Sequence, residues 1–423
     1  MNKTLPFLAA FVLVSTAFAD AQPSTRMQPA GTAFVQLDLA SAQVRALAAS
    51  PDVTIARSEV ERNRSALAQA RATLGPAGFA NYTANPQQAA SGVGTATQTL
   101  TTIGLQTTIG DLLAYSPLVS QAAAALRSSE ADERSAERSE RSKVVTLYYA
   151  ALKARAIFGA RQASFAAAAS ARIAAQKRFA AGDVPRLDVV RADVAIARAT
   201  ADLAAARAAD ANATEALRIE TGTPVDLTQT RPENAPEATV TDPQAAITRT
   251  LQTRSDVVAA RESVAAERAQ VRATERGVFP PLTIQGGYSR GIDGGTLISG
   301  PNITANLTIP LGGAASAKVA QERQRLVQAE AKLTSAERAL TIDVGSASRN
   351  YTAAHEVRVA STQARIQAAA EFAATELGYR IGGSSSFELA AARATFSQAQ
   401  VDELSAIYDE AAARAALHLA TES

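Results

Sequence analysis

One short stretch occurs twice, and it limits what the rest of the chain can be. The first copy runs from Phe179 to Ala192 and the second from Tyr379 to Ala392. Gly182 answers Gly382, Asp188 answers Glu388 and Val189 answers Leu389, always 200 positions apart. Each copy reads as a long helix, a glycine cap, a sharp turn and a second helix that starts at once. A glycine just past the last helical residue takes the left-handed conformation that satisfies orphan carbonyls. Pro185 and the serines Ser384, Ser385 and Ser386 suit a helix start. Each copy is therefore the tip of a helical hairpin, and the 423-residue chain is an internal duplication.

Composition narrows the class. Cysteine and tryptophan are absent and aromatics make up 5% of the chain. That leaves no disulfide framework, no thiolate chemistry and no cysteine for lipid attachment. Alanine dominates instead. It favours helix and lets helices approach closely, which suits long, narrow bundles. With 42 basic and 40 acidic residues the charge is nearly balanced, so no nucleic-acid footprint is expected.

Residues 1–19 combine Lys3, an apolar run from Leu5 to Val14 and the sequence Ala17, Phe18, Ala19. This is the pattern of a cleavable secretory signal, too short to span a membrane, and cleavage would leave Asp20 first. Residues 20–37 read as a flexible lead-in. The first repeat is expected over 38–222, a proline-rich linker over 223–241 and the second repeat over 242–423, each repeat being helix, two strands, long helix, helix. In the first repeat a helix is expected from about Asp38 to Leu74. A low-charge segment follows, in which Ile103, Leu105 and Ile109 alternate with polar or small residues at strand period. A very long helix is expected from about Ser116 to Ala181, then another from Pro185 to about Thr221. In the second repeat the clearest strand is Ile303 to Pro310. The long helix is expected from about Ala314 to Ile381 and the last from Phe387 to about Leu419.

Along the second long helix Val319, Leu326, Leu333 and Leu340 fall seven apart, a coiled-coil seam. The first long helix carries a charged block, Arg127 to Lys143. Pairs such as Glu130 with Arg134 and Glu137 with Arg141 suit an exposed helix, either a solvated face or the wall of a water-filled tube.

The lengths imply a rod, because a helix of this size spans roughly 100 Å at about 1.5 Å per residue. Each repeat has room for two strands of about ten residues, enough to cross an outer membrane. Four strands do not close a barrel, and an open edge is not tolerated in lipid. Several chains must then share one barrel. Three chains would give twelve strands, the preferred count, although sequence alone does not fix it. The alternative is a pair of soluble hairpins capping a helical rod.

This arrangement resembles the TolC-like outer-membrane efflux proteins over nearly the whole mature chain. The resemblance rests on the duplication, the proline-marked approach to each β region (Pro76; Pro280 and Pro281) and the return Ile309 to Gly313. Its most specific part is Tyr379, Gly382, Phe387, Glu388, Leu389 and Ala392. It implies a homotrimer: a twelve-stranded barrel in outer-membrane lipid above an α-helical barrel of duplicated long-helix hairpins reaching into the periplasm. It also implies a periplasmic adaptor and an inner-membrane transporter as partners. Glu388 matches the first of two acidic positions that some relatives carry, and Ala391 occupies the second, so any charged gate would be one ring of Glu388.

The candidate gate residues are Glu388 and Asp188. The hairpin-tip and adaptor-contact candidates are Gly182, Asp183, Pro185, Gly382, Gly383 and Ser384. Glu388 in a first helical turn also fits an ordinary dipole-favoured acid. Arg186, Arg191 and Arg380 could hold acidic partners across tips. His355 and His418 read as ordinary helix residues, no catalytic or cofactor site is visible, and the glycines between Gly286 and Gly300 lack the Gly-Lys-Ser/Thr of a phosphate loop. The expected function is the passive exit duct of a tripartite efflux system. The alternatives are a type I protein-secretion duct and a soluble secreted coiled-coil scaffold.

Overall fold

The computed structural model describes residues 35–36, 38–72, 77–88, 95–223, 225–226, 243–278, 281–293, 296–309 and 313–422. The expected signal peptide, most of the lead-in and linker, Pro76, Pro280 and residues 310–312 lie outside the described residues. The first half runs β1 (Val35–Gln36), α1 (Leu39–Ala49), α2 (Pro51–Ala72), β2 (Ala77–Gln88), β3 (Thr95–Thr108), α3 (Ile109–Ala180) and α4 (Arg186–Thr221). The second runs β4 (Val225–Asp226), α5 (Pro243–Thr253), α6 (Ser255–Arg276), β5 (Leu282–Asp293), β6 (Thr296–Leu307), α7 (Ala314–Arg380) and α8 (Ser386–Thr421).

Three expectations are corrected. The helix expected from Asp38 to Leu74 is two helices, because Ser50 is extended (φ −67°, ψ 123°) and Pro51 starts afresh. Residues before a proline disfavour the helical region. The long helix starts at Ile109, not near Ser116, and runs through Pro117. Ile109 is thus a helix residue despite its place in the alternating pattern. Finally, the charged block on α3 ties helices together instead of pairing along one helix. Arg57 of α2 holds Glu133 and Glu137 at 3.2 and 3.1 Å, Arg127 holds Glu262 of α6 at 2.9 Å and Arg138 holds Asp256 of α6 at 3.4 Å.

The short helices stack end to end along the long ones. Toward the sheet the packing order is α2, α3, α6, α7, and toward the tips it is α4, α3, α8, α7. The junctions sit at mid-height, and the apolar core is concentrated there. One cluster joins Ala42 and Ala46 of α1 to Val144, Tyr148 and Leu152 of α3, with Leu217 of α4 and Leu419 of α8. A second joins Ile247 of α5, Val257 of α6 and Leu340 and Val344 of α7. Of the heptad positions on α7, Leu340 and the intervening Ala329 are buried while Val319, Leu326 and Leu333 are half-buried, and the same stripe buries Glu322, which Arg325 neutralises at 3.0 Å. β1 pairs in parallel with β4, tying the two halves.

Candidate functional site: the sheet and the hairpin tips

The four long strands form one antiparallel sheet in the order β2, β3, β5, β6. Paired residues share a face, so the register sorts side chains. Ala80 pairs with Ile103, Ile103 with Tyr288 and Tyr288 with Pro301; Gly286 pairs with Ile303 and Leu282 with Leu307. That face is apolar and open: Tyr82, Ile103, Leu105, Tyr288, Ile303 and Leu307 are all exposed, Ile303 to 83%. The opposite face is mainly polar, with Phe79, Leu100 and Ile298 among its threonines, asparagines and glutamines. Thr102 and Ser289 are hydrogen-bonded across strands at 2.8 Å, and Gln285 donates to Gln106 at 3.1 Å. Gly104 and Gly287 pair on this polar face. A Cβ at Gly104 would stand 2.3 Å from the Gly286 carbonyl oxygen, and one at Gly287 would stand 2.7 Å from that of Ile103. Glycine lets the two central strands bend toward the polar side, as a closing barrel requires. Among the described residues, β2 and β6 each leave one edge unpaired.

At the other end are the two tips. Gly182 (φ 82°) and Gly382 (φ 80°) take left-handed conformations. In the first tip Asp183 N–H donates to the Arg178 carbonyl at 2.9 Å and Gly182 N–H to that of Phe179 at 3.0 Å. In the second, Gly383 N–H donates to Gly378 at 2.7 Å and Gly382 N–H to Tyr379 at 3.3 Å. Both are Schellman closures, so the duplicated glycines are spent on the turn. Pro185 precedes α4 in an extended conformation, and Gly182, Asp183, Pro185, Gly382 and Gly383 are exposed, with Ser384 half-buried.

The two acids are brought to successive serines. Glu388 forms a capping box: its carboxylate accepts from the Ser385 N–H at 2.7 Å, and its own N–H donates to the Ser385 hydroxyl. The Ser385 N–H first, then its hydroxyl, hold the Glu388 pKa below the usual value. Asp188 accepts the Ser386 hydroxyl at 2.5 Å, across the two tips. Arg191 also donates to Ser386 at 2.9 Å, lies 3.5 Å from Asp188 and covers the Phe387 ring. Arg178 lies over the Tyr379 ring, 5.0 Å from its centroid. Arg191 thus reaches across the tips to Ser386 and Phe387, but its acidic partner Asp188 lies on its own helix, as Glu376 does for Arg380, so neither holds an acid across the tips as expected. Sequence reading missed Ser386 and Arg178. The signal was available in the duplicated tip, but pairing needs coordinates.

It also missed the polar junctions. The buried Glu410 of α8 binds His355, at 2.9 Å, and Arg358 of α7, and Arg414 of its own helix at 3.3 Å. Burial opposes its ionisation, but the His355 hydrogen bond and the two guanidinium charges prevail and lower its pKa. Among the described residues no group of three possible ligands could hold a metal ion, and no helix is long and apolar enough to cross a membrane.

An amphipathic sheet with two free edges above roughly 100 Å of stacked helix is the geometry of a shared membrane barrel on a helical tunnel. The sequence matches the profile of the outer membrane efflux protein family over residues 43–223 and 246–422. The chain belongs to that family. Family members are channels, so the protein is an outer membrane efflux channel and not an enzyme. No curated protein matches it significantly. Its fold is similar to a membrane protein from Pseudomonas aeruginosa, with a TM-score of 0.80, 17% identity, 94% of this chain covered and 99% of the other. It is similar to CusC, described as forming a transmembrane channel, with a TM-score of 0.79, 18% identity and coverage of 95% and 98%. It is also similar to the outer membrane protein VceC from Vibrio cholerae, with a TM-score of 0.78, 17% identity and coverage of 90% and 95%. The efflux-family fold, a helical barrel joined to a β-barrel, is the one expected from the sequence, and membership removes the soluble-scaffold reading.

Proposed function

We propose that three copies of this chain form the passive exit duct of a tripartite efflux system. The sheet carries the reading. Its outer face is apolar and exposed, its inner face is mainly polar, and its two edges need partners that only further copies can supply. Three four-stranded sheets close twelve strands. Strands of 12 to 14 residues are long enough to cross the bilayer when tilted.

Residues 1–19 direct export and are removed, and the mature chain carries no lipid. The repeats 38–222 and 242–423 are the two units of each protomer, joined by 223–241. The tips form the periplasmic end, where Asp188 and Glu388 line the gate. Gly182, Asp183, Pro185, Gly382, Gly383 and Ser384 meet a periplasmic adaptor, which couples the duct to an inner-membrane transporter. The exposed apolar side chains Leu187, Ile381 and Phe387 beside these residues support a docking surface there.

The test is extraction of the outer-membrane fraction with detergent and mass determination of the purified particle. A trimer that conducts in planar bilayers is the expected result. A water-soluble monomer or dimer overturns the barrel, the gate and the efflux role together.

A further inference from the structure

Arg290 is the only lysine or arginine in β2, β3, β5 and β6. The register puts it on the apolar, outward face, two positions from Tyr288. Tyr82 pairs with Thr101, Thr101 with Arg290 and Arg290 with Ser299. One polar row thus crosses all four strands, and all four residues are exposed. Thr101 and Ser299 flank Arg290 at one strand spacing each, about 4.8 Å. Apolar residues lie on either side of the row: Ile103 and Tyr288 nearer the helices, Ile292 and Leu297 further out.

No carboxylate of the sheet answers this guanidinium. β2, β3 and β6 contain no acid, and Asp293, the one acid of β5, holds a register position of the opposite face. Further copies of the chain bring the same strands, so closing the barrel adds no acid either. An arginine on a lipid-facing strand is unfavourable at the bilayer centre and tolerated near its surface. Arg290 stands eight residues beyond Leu282. That is roughly 27 Å along the strand, or about 20 Å along the membrane normal at a tilt of ~40°. It lies toward the end of the sheet remote from the helices, which is the outer surface of the membrane. Tyr82 and Tyr288 at this level match the aromatic girdle of a membrane barrel.

We propose that the row of Tyr82, Thr101, Arg290 and Ser299 binds the phosphate of an outer-leaflet lipid. The guanidinium offers parallel N–H donors to two phosphate oxygens, and the neighbouring hydroxyls donate to the rest. The acyl chains then run along Ile103, Tyr288 and Ile303, which are all exposed. The lipid supplies the anion that the strands lack. This inference rests on the shared barrel proposed above and adds a specific ligand to its outer wall.

The experiment is native mass spectrometry of the full-length channel in non-ionic detergent, stripped of lipid and titrated with diphosphoryl lipid A, its dephosphorylated form and inorganic phosphate. A trimer that retains diphosphoryl lipid A is expected. The dephosphorylated form should bind at least ~tenfold more weakly, the scale of lost charge-assisted hydrogen bonds, and inorganic phosphate more weakly still. Arg290→Gln should weaken lipid A by at least ~tenfold. Arg198→Gln, at an exposed arginine of α4, should leave it unchanged. The comparison of phosphorylated and dephosphorylated lipid on the unaltered channel decides the matter if Arg290→Gln does not assemble. A trimer that binds no lipid A, binds both lipid forms equally, takes inorganic phosphate as tightly, or responds alike to the two substitutions overturns this site and leaves the duct standing. A particle that is not a trimer overturns the duct and the site together.

Discussion

The Ser386 hydroxyl donates to the Asp188 carboxylate at 2.5 Å and joins the two hairpin tips of one chain. Arg191 closes the arrangement by donating to the same serine oxygen. In the proposed duct this clamp holds the tips in register. Ser386→Ala removes both hydrogen bonds and leaves Asp188 with Arg191 alone. The expected outcome is a more open resting state, read as a severalfold rise in single-channel conductance in bilayers, with the trimer mass unchanged. Unaltered conductance would remove the clamp from the gate.

Gly382→Val forces a β-branched residue to φ 80°, a conformation that costs about 1–3 kcal/mol. No neighbouring atom lies within 4 Å of an added Cβ, so backbone strain, not crowding, is being tested. A lower melting temperature and poorer pump-dependent resistance are expected. Gly300→Ala is the control, since that glycine also has open space but no positive φ.

Glu388 should set cation preference. Its pKa lies below the usual 4.5, so the carboxylate stays ionised at neutral pH and well into acid. Cation preference in bilayers is expected to persist as pH falls below 4.5 and to fade only as pH passes through the lowered value. Glu388→Ala should reduce the preference at every pH above that. An unchanged reversal potential in the variant would exclude a charged ring at this position.

Glu140 behaves in the opposite sense. Burial first, then its neighbour Glu220, raise its pKa, although the Ser50 hydroxyl donates to it at 3.0 Å. Lys143 is committed to Glu220 at 2.6 Å. A raised acid favours the protonated fold, so its contribution is complete below about 4.5 and is lost as pH rises through the folded value. Glu140→Gln mimics the protonated form. It should raise the melting temperature at neutral pH relative to the parent and flatten the pH dependence across that window. A lower melting temperature at neutral pH would show that the ionised form is the stabilised one.

The sequence determined local form. Glycine and proline specify backbone angles without help from neighbours, so Gly182, Gly382 and Pro185 marked the turns correctly. Alternation around Ile303 marked a strand with one apolar face, because side-chain period is a property of the strand alone. The duplicated tip and the heptads on α7 gave the long hairpins. Where local signals competed, the reading slipped: Ile109 continued a strand pattern yet starts α3, and Pro51 breaks a helix that hydrophobic pattern alone had run through.

Tertiary structure decided the partners. Arg57 and Arg127 could have paired along their own helices, but packing of α2 and α6 against α3 placed acids nearer across the interface. The same packing brought His355 to Glu410 and Ser386 to Asp188, residues 55 and 198 positions apart. Charged side chains are long and take any opposite charge within reach, so their choice follows from which helices meet and at what height. That is set by burial of the junction cores around Leu152 and Leu340, a property of the folded chain as a whole.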